Sequence, residues 1–441
     1  MPESGVNTRG STVGNGSHGG DCDVLVLGGG PAGATAAAVL AQMGRSVLVV
    51  ERERFPRYKV GESLLPYCYF PLERIGMIEK MRDSSFVKKY SVQFASMDGR
   101  ISTPFYFHQH FDHPAAQTWQ VERGEFDRMM LENATEKGAR VLMGATAKRL
   151  LLDDGRCNGL LVEQDGEIFP LRAPVTIDCG GRHGFAATQM GWIVPDPHLN
   201  KVAIWTYYRG ARRDSGYDEG ATTVAYLPDK GWFWYIPLAN DIVSLGVVAE
   251  RDYLYRDGKD LDAILKREIQ ANRWIADHLE PGRPCEPTRV TAEYSYRSRY
   301  CAGDGLVLAG DAFTFLDPVF SSGVLLALTS GERAAHAVDA ALTAGDVSAA
   351  RFETYGADFC RGLEAMRKLV YAFYDEGFSF GDLLKRHSRL RGALTDCLIG
   401  NLSEDFGPLF KAVEEFARVP PPLLYGGASI EASEAAALSN T

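Results

Sequence analysis

Nothing in the 441 residues approaches the ~18 consecutive apolar positions that a membrane-spanning helix needs. Blocks of Lys and Arg are also missing, and with a net charge of −10 nucleic acid is not the expected partner. The eight cysteines (Cys22, Cys68, Cys157, Cys179, Cys285, Cys301, Cys360 and Cys397) form no CxxC pair, and no secretory leader is evident. They read as reduced, mostly buried thiols of a cytoplasmic protein, and no metal site is expected. No internal repeat is evident. Residues 1–20 and 426–441 are poor in core formers, so both tails are expected to be disordered. The chain is 45% hydrophobic, ample for a large core and for two or three domains.

Against these absences one stretch stands out. Asp23-Val24-Leu25-Val26-Leu27 runs into Gly28-Gly29-Gly30-Pro31-Ala32-Gly33 and then an alanine-rich segment to Met43. The order strand, glycine turn, helix is the one a dinucleotide fingerprint requires. Gly28 makes the turn, Gly30 lets backbone approach a pyrophosphate, and Gly33 lets helix and strand pack closely. Pro31 suits a helix start, where its missing N–H costs nothing. The N–H groups at that helix end, including Ala32, suit a pyrophosphate. A second strand, Ser46 to Val50, ends in Glu51, 18 residues past Gly33 and close to where an acid for a ribose hydroxyl belongs, with Arg52 beside it.

Further along, Gly61-Glu62-Ser63 to Pro66 reads as a turn entering a helix that ends near Ile75; Glu62 and Ser63 suit either a helix cap or the edge of a bound ring. Phe86 to Phe94 reads as the start of an alternating strand, in which Lys88 and Lys89 must point to opposite faces. Arg123 and Phe126-Asp127 open a helix, and the strand Val175 to Asp178 ends in Cys179-Gly180-Gly181-Arg182, a second close approach of backbone to nucleotide. Residues 200–250 are β-rich and suggest a large antiparallel sheet, followed by helix over Asp260 to Leu279 and strand over Cys285 to Ser295. Gly305 to Asp311 is again strand into glycine, and Asp317-Pro318-Val319-Phe320-Ser321-Ser322-Gly323 opens a long helix, Val324 to Ala344. Amphipathic helices follow at roughly 348–374, 381–398 and 403–417.

One early fingerprint plus a distant strand-Gly310-Asp311 and Asp317-Pro318 before a helix, with no second fingerprint for a nicotinamide, resembles the p-hydroxybenzoate-hydroxylase-like flavoproteins. Arg123 and Asp127 match their Arg-x-x-x-Asp helix start. The resemblance implies an α/β fold: a Rossmann-type FAD-binding domain (about 21–88, 120–185 and 286–355) interleaved with an antiparallel substrate layer (about 89–119 and 186–285). A C-terminal helical region, 356–425, completes it. FAD would lie on Gly28, Gly30, Pro31, Ala32, Gly33, Glu51, Arg52, Ser63, Arg123, Gly180, Gly310 and Asp311.

Two features narrow this. Trp232-Phe233-Trp234-Tyr235-Ile236-Pro237 resembles the Trp-x-Trp-x-Ile-Pro signature of flavin-dependent halogenases, and Lys89 falls where that family keeps its essential lysine. The resemblance implies FADH2 from a separate flavin reductase, O2 and halide as co-substrates, and halide held by the backbone N–H groups of Ser322 and Gly323. Hypohalous acid would pass a wall formed by Trp232 and Trp234 to Lys89, there forming a chloramine or a hydrogen bond. An electron-rich aromatic ring would then be chlorinated or brominated, in secondary-metabolite and antibiotic biosynthesis. Phe320 departs from the tryptophan-specific members, which carry a glutamate there. It is similar instead to the branch acting on phenols or pyrroles, free or tethered to a carrier protein. Ser91, often glycine in relatives, is a minor departure. The Tyr371-Ala372-Phe373-Tyr374 cluster suits either the substrate mouth or helix packing. The rival readings are an aromatic hydroxylase, a prenyl reductase and a non-catalytic carrier-binding subunit.

Overall fold

The computed structural model describes residues 22–421; both expected tails lie outside them. Val24–Leu27, Val47–Glu51, Arg140–Met143, Val175–Asp178 and Leu306–Leu308 form a parallel sheet, closed at one edge by the short antiparallel strand Ala302–Gly303. Helices cover both faces of such a sheet, so its central strands are mostly apolar, and Val24–Leu27 and Val47–Glu51 are buried throughout. The fingerprint helix, Pro31–Gln42, packs between Arg123–Glu136 and Gly323–Ala344. A Cβ at Gly331 would run into the Ala32 carbonyl, so that glycine sets how closely the long helix crosses the fingerprint.

The second layer is a nine-stranded sheet, in spatial order Thr314–Phe315, Arg289–Ser298, Ile193–Arg209, Ile242–Glu250, Trp232–Leu238, Thr222–Tyr226, Ser91–Ala95 and Phe105–Tyr106, with Arg283–Pro284 paired to Ile193–Arg209. Its two faces meet different cores. Trp232, Trp234 and Ile236 join the main core, while Phe233 and Tyr235 pack under the helices Leu261–Ala271 and Arg273–Leu279. The C-terminal region folds as Glu353–Tyr374, Phe380–Arg386, Arg391–Ile399 and Gly407–Val413. Among the described residues no helix is long and apolar enough to cross a membrane.

Several boundaries differ from the sequence reading. Phe86 to Phe94 is two strands broken at Tyr90: Val87–Lys89 pairs with Thr118–Gln120 in a sheet of its own, and Ser91–Ala95 joins the large one. Alternation continues through the break, so periodicity gave no sign of it. The large sheet is not wholly antiparallel, because Thr222–Tyr226 and Ser91–Ala95 run parallel. Arg289–Ser298 belongs to that sheet too. The helix drawn over Asp260 to Leu279 breaks at Asn272, whose side chain accepts the Ile275 N–H as the cap of the second half. Residues 145–172 form a separate three-stranded meander.

Candidate functional site

The dinucleotide cradle is built by close backbone contacts. Gly28 has φ +96°, and a Cβ there would run into the Cys179 carbonyl. A Cβ at Gly33 would run into the carbonyl of Gly28. Gly30 precedes the helix with no side-chain cap, and Pro31 is its first residue, so the first-turn N–H groups of Ala32 and Gly33 are left for a ligand. The buried Glu51 carboxylate accepts N–H groups from Gly29 (2.7 Å) and Glu53 (2.8 Å). Arg52 is half-exposed and lies 3.7 Å from Glu53. The Gly180 N–H donates to Asp178, whose carboxyl is pushed up to about 6 by burial. Gly310, at φ +60°, donates its N–H to the Ser330 hydroxyl at 2.8 Å. Beside it Asp311 is likewise pushed up to about 6 by loss of water, against the pull of Arg182 and Arg123.

Arg123 grips Asp127 through Nε (2.8 Å) and Nη2 (3.0 Å) and donates to the Val60 carbonyl at 2.9 Å. Asp127, fully buried, also holds Arg57 at 2.9 Å. Arg57, whose Nη2 would be 3.2 Å from a Cβ on Gly30, went unnoticed in the sequence. The signal was available only in pairing: one buried carboxylate orienting two guanidiniums. An uncapped helix end, glycines that admit no Cβ, and two fixed cations fit the pyrophosphate and ring of FAD.

Asp317 to Gly323 makes the turn expected to hold halide. The Asp317 carboxylate accepts the Val319 N–H at 3.1 Å, Ser321 takes a left-handed conformation (φ +55°), and Ser322 caps the 22-residue helix without a side-chain bond. A Cβ on Gly323 would face open space. Positive N–H groups at a long helix start, beside a small open volume, suit a monatomic anion. Phe320 turns away to Phe373 and Phe380 of the C-terminal helices.

Trp232 and Trp234 lie on one face of their strand with ring centroids 6.2 Å apart. Gly246 on the neighbouring strand makes room for the Trp234 indole, which would overlap any Cβ there. Trp232 Nε1 donates to the Tyr374 hydroxyl (2.9 Å), which donates to Asp317 Oδ2 (2.9 Å). Burial pushes Asp317 up to about 6. So the first tryptophan is tied directly to the halide turn, through the cluster that the sequence left between mouth and packing. Trp234 Nε1 donates to Ser244 Oγ (3.0 Å), and Ser244 reaches Glu62 Oε1 (3.4 Å), which also accepts the Tyr207 hydroxyl (2.8 Å). Glu62 is buried, and loss of water raises its pKa.

Lys89 is 1% exposed, whereas Lys88 faces water. Its Nζ donates to Ser63 Oγ (2.8 Å) and to the Leu64 carbonyl (3.1 Å), and lies 5.6 Å from the centre of the Phe107 ring. No carboxylate pairs with it among the described residues. Burial pulls its pKa down to about 7. Helix capping by Glu62 and Ser63 is excluded, since the Pro66–Cys68 turn starts at Leu65 without a side-chain bond. Ser63 touches Thr222, which shares a sheet face with Val224 and, through the Val224–Trp234 pair, with the tryptophans. Side-chain contacts from one face of the large sheet thus reach both ends: Tyr374 joins Trp232 to Asp317, and Thr222 leads through Ser63 to Lys89.

The family model described as tryptophan halogenase matches residues 23–113 and 95–378. The chain belongs to the tryptophan halogenase family. The 1H-pyrrole-2-carbonyl-[peptidyl-carrier protein] chlorinase of Pseudomonas fluorescens is 30% identical over 379 residues, 80% of this chain and 84% of that protein. The corresponding brominase of Pseudoalteromonas luteoviolacea is 31% identical over 327 residues, 74% and 79%. The structure of the flavin-dependent brominase Bmp2 matches with a TM-score of 0.81 at 27% identity, over 90% of this chain and 99% of that one. As a flavin-dependent member of this halogenase family, the protein uses reduced FAD, O2 and halide to halogenate an aromatic ring.

Proposed function

We propose that the protein halogenates an electron-rich phenol or pyrrole carried on an acyl or peptidyl carrier protein, with FADH2 delivered by a separate reductase in the cytoplasm. The observation that carries this reading is the buried, carboxylate-free Lys89, joined through Ser63 to Thr222 on the sheet face that bears the indole pair. Phe320 supports the substrate class: no carboxylate stands before Ser321 to assist, so the ring must bring its own activating hydroxyl or N–H. The two carrier-protein relatives support the tethering. Seven of the eight cysteines are buried and all are free, which suits a reducing compartment.

FAD would be held by Gly28, Gly30, Pro31, Ala32, Gly33, Glu51, Arg52, Arg123, Gly180, Gly310 and Asp311; the Ser63 hydroxyl, expected with them, is instead engaged by Lys89 and Thr222. When bound and reduced, it supplies the activation of O2 that oxidises halide to hypohalous acid. The chain's own work is to separate that oxidant from the ring. Ser322 and Gly323 hold the halide through backbone N–H groups, and Trp232 and Trp234 exclude anything larger than hypohalous acid. Lys89, half of it unprotonated near pH 7, takes the halogen: R–NH2 + HOX gives R–NHX + H2O, and R–NHX + Ar–H returns R–NH2 + Ar–X.

The test supplies an unrelated flavin reductase, NADH, O2 and chloride or bromide with free and carrier-bound phenols and pyrroles, followed by mass spectrometry. A halogen isotope pattern on a carrier-bound ring is expected. A hydroxyl gained without halide would overturn the reading. With Lys89→Ala, ring halogenation should fall at least a hundredfold while hypohalous acid is still trapped by an added thioether.

A further inference from the structure

We infer that Ser63 is a positioning residue for Lys89, fixed in turn by Thr222 and Gln120, and that this hydroxyl pair holds the amine in both of its protonation states. This rests on the reading of Lys89 given above. The connection is a chain of buried side chains from four separate segments. Lys89 Nζ meets Ser63 Oγ at 2.8 Å, Ser63 Oγ meets Thr222 Oγ1 at 2.7 Å, and Gln120 Nε2 donates to Thr222 Oγ1 at 2.9 Å. The second hydrogen of Gln120 Nε2 goes to the Gly220 carbonyl at 2.9 Å, so the amide is fixed at both hydrogens. Ser63 and Gln120 also face each other as a backbone bridge, and Val87–Lys89 pairs with Thr118–Gln120.

Donor counting shows what this arrangement allows. When Lys89 is an ammonium, it donates to Ser63, whose own proton turns to Thr222. When Lys89 is neutral, the Ser63 proton turns to the amine lone pair and the Thr222 proton turns to Ser63. Only two hydroxyl rotations separate the states. A carboxylate in the same place would lock the ammonium form instead, and a wholly apolar pocket would leave its protons unmet. An amine that must be neutral to accept a halogen and hold its place afterwards needs a partner that can bond it in either state, accepting from the ammonium, in the stronger of the two bonds, and donating to the free amine. The titratable group facing it is the Cys68 thiol, which burial pushes up to about 12; Leu64, Phe107 and Ser63 complete its surroundings.

Ser63→Ala, Ser63→Thr, Thr222→Val and Lys89→Ala test the idea with two readouts. The first is halogenated ring per hypohalous acid formed, with a thioether trap counting the acid that escapes. Ser63→Ala is expected to lower this ratio at least tenfold, Thr222→Val to lower it less, and Ser63→Thr to restore it. The second, on flavin-free protein labelled with 15N-lysine, follows the Lys89 side-chain resonance against pH. Loss of the hydroxyl that accepts from the ammonium should move the midpoint about one pH unit lower. If Ser63→Ala fails to fold, Thr222→Val carries the same test. Unchanged ratio and midpoint in these variants, with Lys89→Ala inactive on the ring, would overturn the role of Ser63 alone. A Lys89→Ala variant that halogenates like the parent would overturn the reading of Lys89 itself.

Discussion

A lysine shut away from water without a carboxylate weakens the fold that contains it. Lys89 drops from 10.5 to about 7 on folding, a difference worth several kcal/mol. The sign follows from where the proton sits. Between pH 7 and 10.5 the unfolded chain holds a proton that the folded one has lost, so the penalty is full below about pH 7 and fades as pH rises towards 10.5. Lys89→Met should therefore raise the melting temperature, and by more at pH 6 than at pH 9, as calorimetry at the two pH values would show. An equal gain at both would mean that the amine is not titrating in the fold. Activity should follow the neutral amine, so ring halogenation per oxidant should climb through about pH 7 and level off; a fall across that range would exclude the N-halogen route. That Lys88 and Lys89 face opposite ways was legible from strand alternation, but alternation alone left both as surface charge, and only the family resemblance picked Lys89 as the inward one. Ser63 as its partner was not, since that contact depends on how the strand Val87–Lys89, the turn at Ser63 and the large sheet come together.

The elements carry the next level of control. Asp317 belongs to the halide turn, Trp232 to the sheet and Tyr374 to the last turn of Glu353–Tyr374, and two hydrogen bonds of 2.9 Å join all three. Tyr374→Phe removes both bonds and leaves a buried indole N–H and carboxyl short of a partner, costing about 1–3 kcal/mol. The KM for halide should rise and hypohalous acid should leak past Trp232, both measurable by steady-state kinetics with a trap; unchanged halide KM and leakage would make Tyr374 mere packing. The cradle offers a cleaner separation of fold from binding. Gly30 has φ −73°, and its Cβ would meet only the tip of Arg57, whereas Cβ atoms on Gly28 or Gly33 would collide with backbone. Gly30→Ala should therefore keep the flavin-free melting temperature within about 1 °C and weaken FAD binding at least tenfold by titration. Strand, turn and helix of this cradle were readable because each has its own local signature. The link through Tyr374 was not, because its partners lie 142 and 57 residues away in the chain.

Across the whole molecule, the large sheet acts as a common wall. Its inner face runs from the indole pair to Thr222, and the C-terminal helices close the same side over Phe320 and Tyr374. The two layers were visible in the sequence as a parallel-strand pattern interrupted by β-rich stretches. Their seams were less so: the chain leaves the large sheet after Arg289–Ser298, three short strands before the halide turn, and composition does not mark the change. On the proposed function the arrangement serves separation: oxidant would be made at the cradle and the ring modified at Lys89. The most direct measurement stops the reaction between the two. Protein is turned over with reduced flavin, O2 and halide but no aromatic, stripped rapidly of flavin and halide, and only then given the carrier-bound ring. The account predicts up to one equivalent of halogenated ring per protein and none with Lys89→Ala. Product that forms only while flavin and ring are present together would contradict it.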